Sequence, residues 1–136
     1  MTAAPAPPVR VVAAVIRRDD AYLVCQRPAH KRHGGLWEFP GGKLQGHESL
    51  ADAARRELQE ELGVTVVATG PVLLVVPDPG SAFLLEFLAV EITGTPQPTE
   101  HAAVAWVAAA ALRDLPLCPG DRAFAATLAD SDPPPP

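Results

Sequence analysis

Residues 42–64 read GKLQGHESLADAARRELQEELGV, and the reading of this stretch decides the fold. From Ser49 to Leu62 it is built almost wholly from Ala, Leu, Glu, Arg and Gln, which are strong helix formers. Ser49 and Asp52 have the spacing of an S-x-x-D capping pair, and Gly63 suits the left-handed residue that stops a helix. The spacing therefore predicts a helix from Ser49 to Leu62. At about 100° per residue, Ala51, Ala54, Leu58 and Leu62 fall on one arc and Glu57, Glu60 and Glu61 on an adjacent arc, leaving Asp52, Arg55 and Gln59 to water. Three carboxylates share one face. Glu57 and Glu61, one turn apart, repel by about 0.2–0.5 kcal/mol unless a cation lies between them, and Arg56, four residues before Glu60, compensates at most one acid. Hard oxygen donors arranged in this way suit Mg²⁺ or Mn²⁺, and Glu57 and Glu61 are the first ligands expected.

Outward from the helix, Val9 to Ile16 (VRVVAAVI) and Ala21 to Cys25 (AYLVC) are apolar runs on either side of Asp19-Asp20 and predict a hairpin. A basic loop, His30-Lys31-Arg32-His33-Gly34-Gly35, leads to Leu36-Trp37-Glu38-Phe39-Pro40 and a second glycine pair, Gly41-Gly42. Val64 to Val76, Ala82 to Ile92 and Ala103 to Val107 predict strands, punctuated by Gly70-Pro71, Pro77-Asp78-Pro79-Gly80 and Thr93-Gly94-Thr95-Pro96. A short helix is expected over 108–113 and a terminal one from Pro119. Strands with one strong internal helix and another at the end argue for an α+β chain of α/β/α sandwich type.

The chain of 136 residues allows one domain, expected over residues 9–129, with Pro/Ala-rich tails at 1–8 and 130–136 expected to be disordered. Seven of the 16 prolines lie in those tails. Apolar residues at 48% and charged ones at 20% fit a globular protein. A net charge of −5 is the wrong sign for holding a polymeric nucleic acid. With no apolar run long enough to span a bilayer and no signal pattern at the N-terminus, a cytoplasmic location is expected and no membrane partner. Cys25 and Cys118 match no metal or redox spacing and are expected to be buried hydrophobes, and the four histidines form no recognised ligand pair.

Within residues 42–64, Gly42, Glu48, Arg56-Glu57-Leu58, Glu60-Glu61 and Gly63-Val64 stand at fixed intervals. They resemble the box of the Nudix hydrolases, G-x5-E-x7-R-E-U-x-E-E-x-G-U with U an apolar residue, and every position is filled. A chance match at one chosen start is of the order of 10⁻¹⁰ at average residue usage. The flanking WEFPGGK and the E-x5-W from Glu100 to Trp106 are similar to the MutT branch. The resemblance implies a Nudix fold, with a mixed β-sheet between helices and a catalytic loop-helix-loop, acting in Mg²⁺-dependent cleavage of nucleoside triphosphates to monophosphate and pyrophosphate, with nucleotide-pool sanitation as the role. It further implies that Glu57, Glu60 and Glu61 bind the metal with the carbonyl of Gly41, that Glu100 adds a ligand or helps activate water, and that Glu48 and Arg56 orient them. Glu57, Glu60 and Glu100 are the residues among which the base for water is expected.

For the substrate, Arg27 coincides with an arginine that contacts the nucleotide in MutT-like enzymes, and Arg32 and Lys43 lie near enough to assist with phosphates. Glu38 and Phe39 are expected to line the pocket, Phe39 either against a base or in the core. Asp121 occupies the place where the 8-oxoguanine-selective enzyme carries asparagine. An ionised aspartate only accepts hydrogen bonds, which suits the exocyclic amine of cytosine or adenine, whereas a protonated one also donates, which suits the purine oxygens of 8-oxo-dGTP. Asp121 also suits the first turn of a helix. Two other activities stand beside this one: hydrolysis of another nucleoside diphosphate such as ADP-ribose, to which Pro79 points, and a non-catalytic nucleotide sensor on the same scaffold. A monomer or homodimer is compatible with the sequence.

Overall fold

A computed structural model describes residues 6–131. The strands, in chain order, are β1 (Val9–Val15), β2 (Arg17–Arg18), β3 (Ala21–Gln26), β4 (Trp37–Glu38), β5 (Gly41–Lys43), β6 (Thr65–Pro77), β7 (Phe83–Thr93) and β8 (Ala103–Ala108). The helices are α1 (Leu50–Leu62), α2 (Ala109–Leu112) and α3 (Pro119–Ser131). One sheet runs β5-β1-β7-β6 and is mixed, because β1 pairs with β7 in parallel and with β5 antiparallel. In the other, β8 takes one edge of β3 while β2 and β4 share its opposite edge.

The expected hairpin is divided between these two sheets. β1 ends at Val15, the chain crosses at Ile16, and only Arg17–Arg18 fold back on β3 around Asp19-Asp20, where Asp19 adopts a positive φ of 57°. The cause lies in the two buried faces of each strand. Val12, Ala14 and Ile16 pack with Leu23, Cys25 and the α1 residues Ala53, Ala54, Leu58 and Leu62, while Ala13, Val15, Tyr22 and Val24 pack with Phe39, Phe87, Leu112 and Phe124 on the α2/α3 side. Strands covered on both faces read as continuous apolar runs, and such runs do not reveal which neighbour each strand will choose. Helices on both faces of the sheets give the expected α/β/α layering.

α1 is fixed locally as its sequence predicts. Ser49 Oγ accepts the Asp52 N–H at 3.1 Å, the Asp52 carboxylate accepts the Ser49 N–H at 3.2 Å, and Gly63 closes the helix at φ 66°. The buried face comprises Ala53, Ala54, Leu58, Glu61 and Leu62, an apolar stripe with one acid in it. The Gly70-Pro71 pair does not end a strand; β6 continues through it with register shifts against β7 between Thr69 and Val72. At the C-terminal end α3 extends to Ser131. Of the expected tails, residues 1–5 and 132–136 lie outside the described residues. Among the described residues no helix is long and apolar enough to cross a membrane.

Candidate active site

A cleft of about 570 Å³ opens where β5 and α1 meet β4, the loop after β3 and the segment before β8. Its lining holds the acids Glu38, Glu57, Glu61 and Glu100, here called the acidic wall, the cations Arg27, Lys31, Arg32 and Lys43, the basic rim, and Asp78, Cys118 and Asp121. Of the sequence-predicted residues all but Glu48, Arg56 and Glu60 line it.

Two glycines let β5 lie close to β1 on one side and to the Glu57 carboxylate of α1 on the other. A methyl group on Gly41 would collide with the Val12 carbonyl, and one on Gly42 would stand 2.6 and 2.7 Å from the two oxygens of Glu57. Arg56 ties the box together. Its Nε and Nη2 donate to Glu48 at 2.8 and 2.9 Å, Nη1 donates to Glu57 at 2.7 Å, and Nη2 also reaches the Lys43 carbonyl at 3.0 Å. The bonds from Arg56, assisted by the Gln45 N–H, hold the Glu48 carboxyl down at about 2. Glu60 is different: its side chain is 55% exposed, 3.6 Å from Arg56 Nη1, and it is absent from the cleft lining.

Glu61, by contrast, is buried. Burial first, then the neighbouring Glu57, Glu38 and Glu100, push its carboxyl up to about 9. Its Oε2 is buried with no hydrogen-bond partner. Such an atom fits a cation: a desolvated carboxylate is costly alone and well matched to a positive ligand. The Glu57 carboxylate seated against Gly42 and the orphan oxygen of Glu61 therefore fit a divalent metal held by hard oxygen donors. Among the described residues no three His, Cys, Asp or Glu side chains form a complete cage.

On the rim, Arg27 donates from Nη1 to Glu38 at 3.1 and 3.3 Å and from Nε to the Arg32 carbonyl at 2.7 Å. Lys43 Nζ stands 5.0 Å from the centre of the Phe83 ring. Phe39 is a core aromatic: its ring is 3% exposed and meets Phe87 and Phe124 edge-on at 5.9 and 5.3 Å. What Phe39 offers the cleft is backbone, for its N–H donates to Asp121 Oδ1 at 2.8 Å. Burial raises the Asp121 carboxyl to about 8 against that bond, with Glu38 and Asp78 adding to the rise. Both cysteines are buried, and burial pushes both thiols up, Cys118 to about 12, so neither supplies a thiolate nucleophile.

Sequence reasoning missed His101 and Asp78. His101 Nε2 lies 3.0 Å from Glu38 Oε2 and 3.6 Å from Glu61 Oε1; adjacency to Glu100 was its only signal. Asp78 was read as part of a turn, which it is, accepting the Ser81 N–H at its carbonyl, yet its side chain also lines the cleft.

With this geometry in view, residues 7–128 match the model of the NUDIX domain. The chain belongs to the Nudix hydrolase family. Its relatives include the CTP pyrophosphohydrolase of Escherichia coli K12, 38% identical over 116 residues covering 83% of this chain and 85% of that one. The 8-oxo-dGTP diphosphatase of Proteus vulgaris is 52% identical over a shorter 44 residues, 32% of this chain and 39% of that one. Among solved structures, a MutT NUDIX hydrolase from Burkholderia pseudomallei superposes with a TM-score of 0.75 at 29% identity, covering 92% of this chain and 98% of that one. Nudix hydrolases generally use a divalent metal, and a small nucleotide is the class of substrate in keeping with this family.

Proposed function

We propose that this Nudix hydrolase cleaves nucleoside triphosphates to nucleoside monophosphate and pyrophosphate with Mg²⁺, Mn²⁺ being able to replace it. The observation that carries the reading is the polarity of the cleft. Four acids, Glu38, Glu57, Glu61 and Glu100, share its lining with the cations Arg27, Lys31, Arg32 and Lys43 and with the carboxyl of Asp121. Glu57, Glu61 and Glu100 with the Gly41 carbonyl, and Glu60 beside them, would hold the metal. When bound, it supplies positive charge to phosphate oxygens and to the attacking water. Arg27, Arg32 and Lys43 would meet the remaining phosphate charge. Arg56 and Glu48 keep Glu57 in place, and Glu57, Glu60 and Glu100 are the carboxylates available to take a proton from water.

Asp121 keeps Oδ1 engaged by the Phe39 N–H, which leaves Oδ2 as the oxygen available to a base. With its carboxyl raised by burial, that oxygen is an acceptor when ionised and a donor when protonated. The acceptor complements the N4 amine of cytosine, and the kinship with a CTP pyrophosphohydrolase supports that choice. The donor alone suits a purine oxygen, which supports 8-oxo-dGTP as the second reading. Pro79, the feature favouring ADP-ribose, sits in the turn where the Ser81 N–H donates to the Asp78 carbonyl and is absent from the cleft lining. Role in the cell follows from substrate: removal of modified or surplus nucleotides, in the cytoplasm and without polymeric nucleic acid or membrane as partner.

A panel of canonical, 5-methylated and 8-oxo nucleoside triphosphates plus ADP-ribose, assayed with Mg²⁺ for pyrophosphate or phosphate, tests the reading. Cytidine nucleotides should lead. Turnover of ADP-ribose alone would overturn the triphosphate assignment, and no hydrolysis of any member would favour a nucleotide sensor.

A further inference from the structure

His101 stands where the acidic wall and the basic rim of the cleft meet, and no position of the Nudix box asks for a histidine there. It follows Glu100 just before β8, and its side chain is 6% exposed. Nε2 is 3.0 Å from Glu38 Oε2 and 3.6 Å from Glu61 Oε1, while Nδ1 is buried with no partner. The hydrogen-bond network decides which ring nitrogen carries a proton. An N–H buried without an acceptor costs more than a buried lone pair, so the proton belongs on Nε2, where a carboxylate receives it.

Glu38 is thereby held from two sides. Its carboxylate accepts from His101 and, at 3.1 and 3.3 Å, from Arg27 Nη1. Four parts of the fold are joined through one imidazole: the loop after β3 with Arg27, β4 with Glu38, α1 with Glu61, and the segment before β8 with His101 itself. Without a donor at Nε2, the Glu38 and Glu61 carboxylates would lose the group standing between them, and Arg27 would keep a partner free to swing.

We propose that His101 is a positioning residue whose Nε2–H fixes Glu38, and through it Arg27, relative to Glu61, so that the nucleotide-facing arginine and the metal-facing helix are set in one orientation. This rests on the reading of Arg27 and Glu61 given under the proposed function. His101 itself touches neither substrate nor metal in this role, and its work is done through two neighbours.

Two polar substitutions separate reach from polarity. His101→Gln carries an amide nitrogen at about the reach of Nε2, whereas the amide of His101→Asn ends near the level of Nδ1, short of Glu38. In the full chain, three quantities are read: melting temperature, Mn²⁺ affinity without nucleotide, and KM and kcat for a nucleoside triphosphate. His101→Gln is expected within about threefold of the parent, and His101→Asn to weaken Mn²⁺ binding and raise KM by about tenfold each, the range in which loss of a group orienting a metal ligand is felt. Equal values for Gln and Asn, or unchanged values for Asn, overturn the proposal. Glu38→Gln, which leaves His101 in place, should raise KM by a similar factor and gives the same reading should His101→Asn not fold; an unchanged KM there also overturns it. Combining Glu38→Gln with His101→Asn should add nothing to the KM of Glu38→Gln alone, and additive losses would show that His101 acts independently. A parent that hydrolyses no triphosphate defeats the proposed function, while the Mn²⁺ contrast between Gln and Asn still decides the role of His101.

Discussion

The carboxylate of Glu57 lies against the backbone of Gly42, at a place where even a methyl group would be 2.6 and 2.7 Å from its oxygens. Glycine at this point of the box is thus an occupancy requirement of the acid on α1, since Gly42 pairs across β5 to Val12 and cannot retreat. Gly42→Ala should displace Glu57. A misplacement of about 1 Å at a reacting site costs about 100-fold in rate, so kcat should fall by that order while the melting temperature changes little. A variant with parental kcat would show that Glu57 does not need this position.

Arg56 makes its bonds as a fork, to Glu48 at 2.8 and 2.9 Å and to Glu57 at 2.7 Å. A lysine supplies the charge without the planar geometry. Arg56→Lys is expected to lose about 10–100-fold in activity, and Arg56→Ala at least as much with a lower melting temperature. Activity of Arg56→Lys equal to the parent would reduce the role of Arg56 to charge alone.

Glu61 and Asp121 make the metal-free protein sensitive to alkali. Their folded values, about 9 and about 8, lie above the ordinary 4.5 and 3.8. The stability each contributes is fully present below the ordinary value, because the folded chain retains protons that the unfolded chain releases, and it is lost as pH rises toward the folded value. Glu48, held at about 2, works oppositely and matters only in acid, its contribution being lost as pH falls toward 2. The melting temperature without metal should therefore fall between about pH 5 and pH 9. Glu61→Gln, with no charge to desolvate, should flatten that fall, melt above the parent at about pH 8, and gain less from added Mg²⁺. Identical pH slopes would mean that Glu61 is ionised where it is buried.

Asp121 receives the Phe39 N–H at 2.8 Å. Asp121→Asn retains an oxygen for that bond and fixes the other group as a donor. Cytidine nucleotides should lose ground to guanine nucleotides in relative kcat/KM, by about 10-fold if one base-edge hydrogen bond is exchanged, since about 1.4 kcal/mol corresponds to that factor. An unchanged order of bases would place recognition elsewhere in the cleft.

Glu60→Gln completes the series. From the family resemblance its turnover should fall by orders of magnitude, although its side chain is half exposed in the metal-free arrangement. Near-parental turnover would remove Glu60 from the ligand set.

How far the sequence reaches is visible residue by residue. Ser49, Asp52 and Gly63 cap α1 as their spacing requires, because those bonds close within one turn and depend on nothing distant. Glu57 and Glu61 share a face for the same reason. The partners of β1 and β3 were misread as each other, since two strands apolar on both faces carry no mark of which edge they meet. Phe39 went to the core because Phe87 and Phe124 form a stacked pair 4.6 Å apart that it meets edge-on, contacts more than 45 residues away.

The sequence by itself determined the family, the capped helix and the presence of acids on it, all encoded in spacings within 23 residues. Only the tertiary structure decided how those acids are used: that Glu61 is buried and Glu60 is not, that Phe39 offers its backbone to Asp121, and that His101 comes between Glu38 and Glu61 from 63 residues beyond Glu38. Local hydrogen bonds repeat with the helix period and can be read along the chain. Burial and the fields that shift a carboxyl arise only after distant segments have packed.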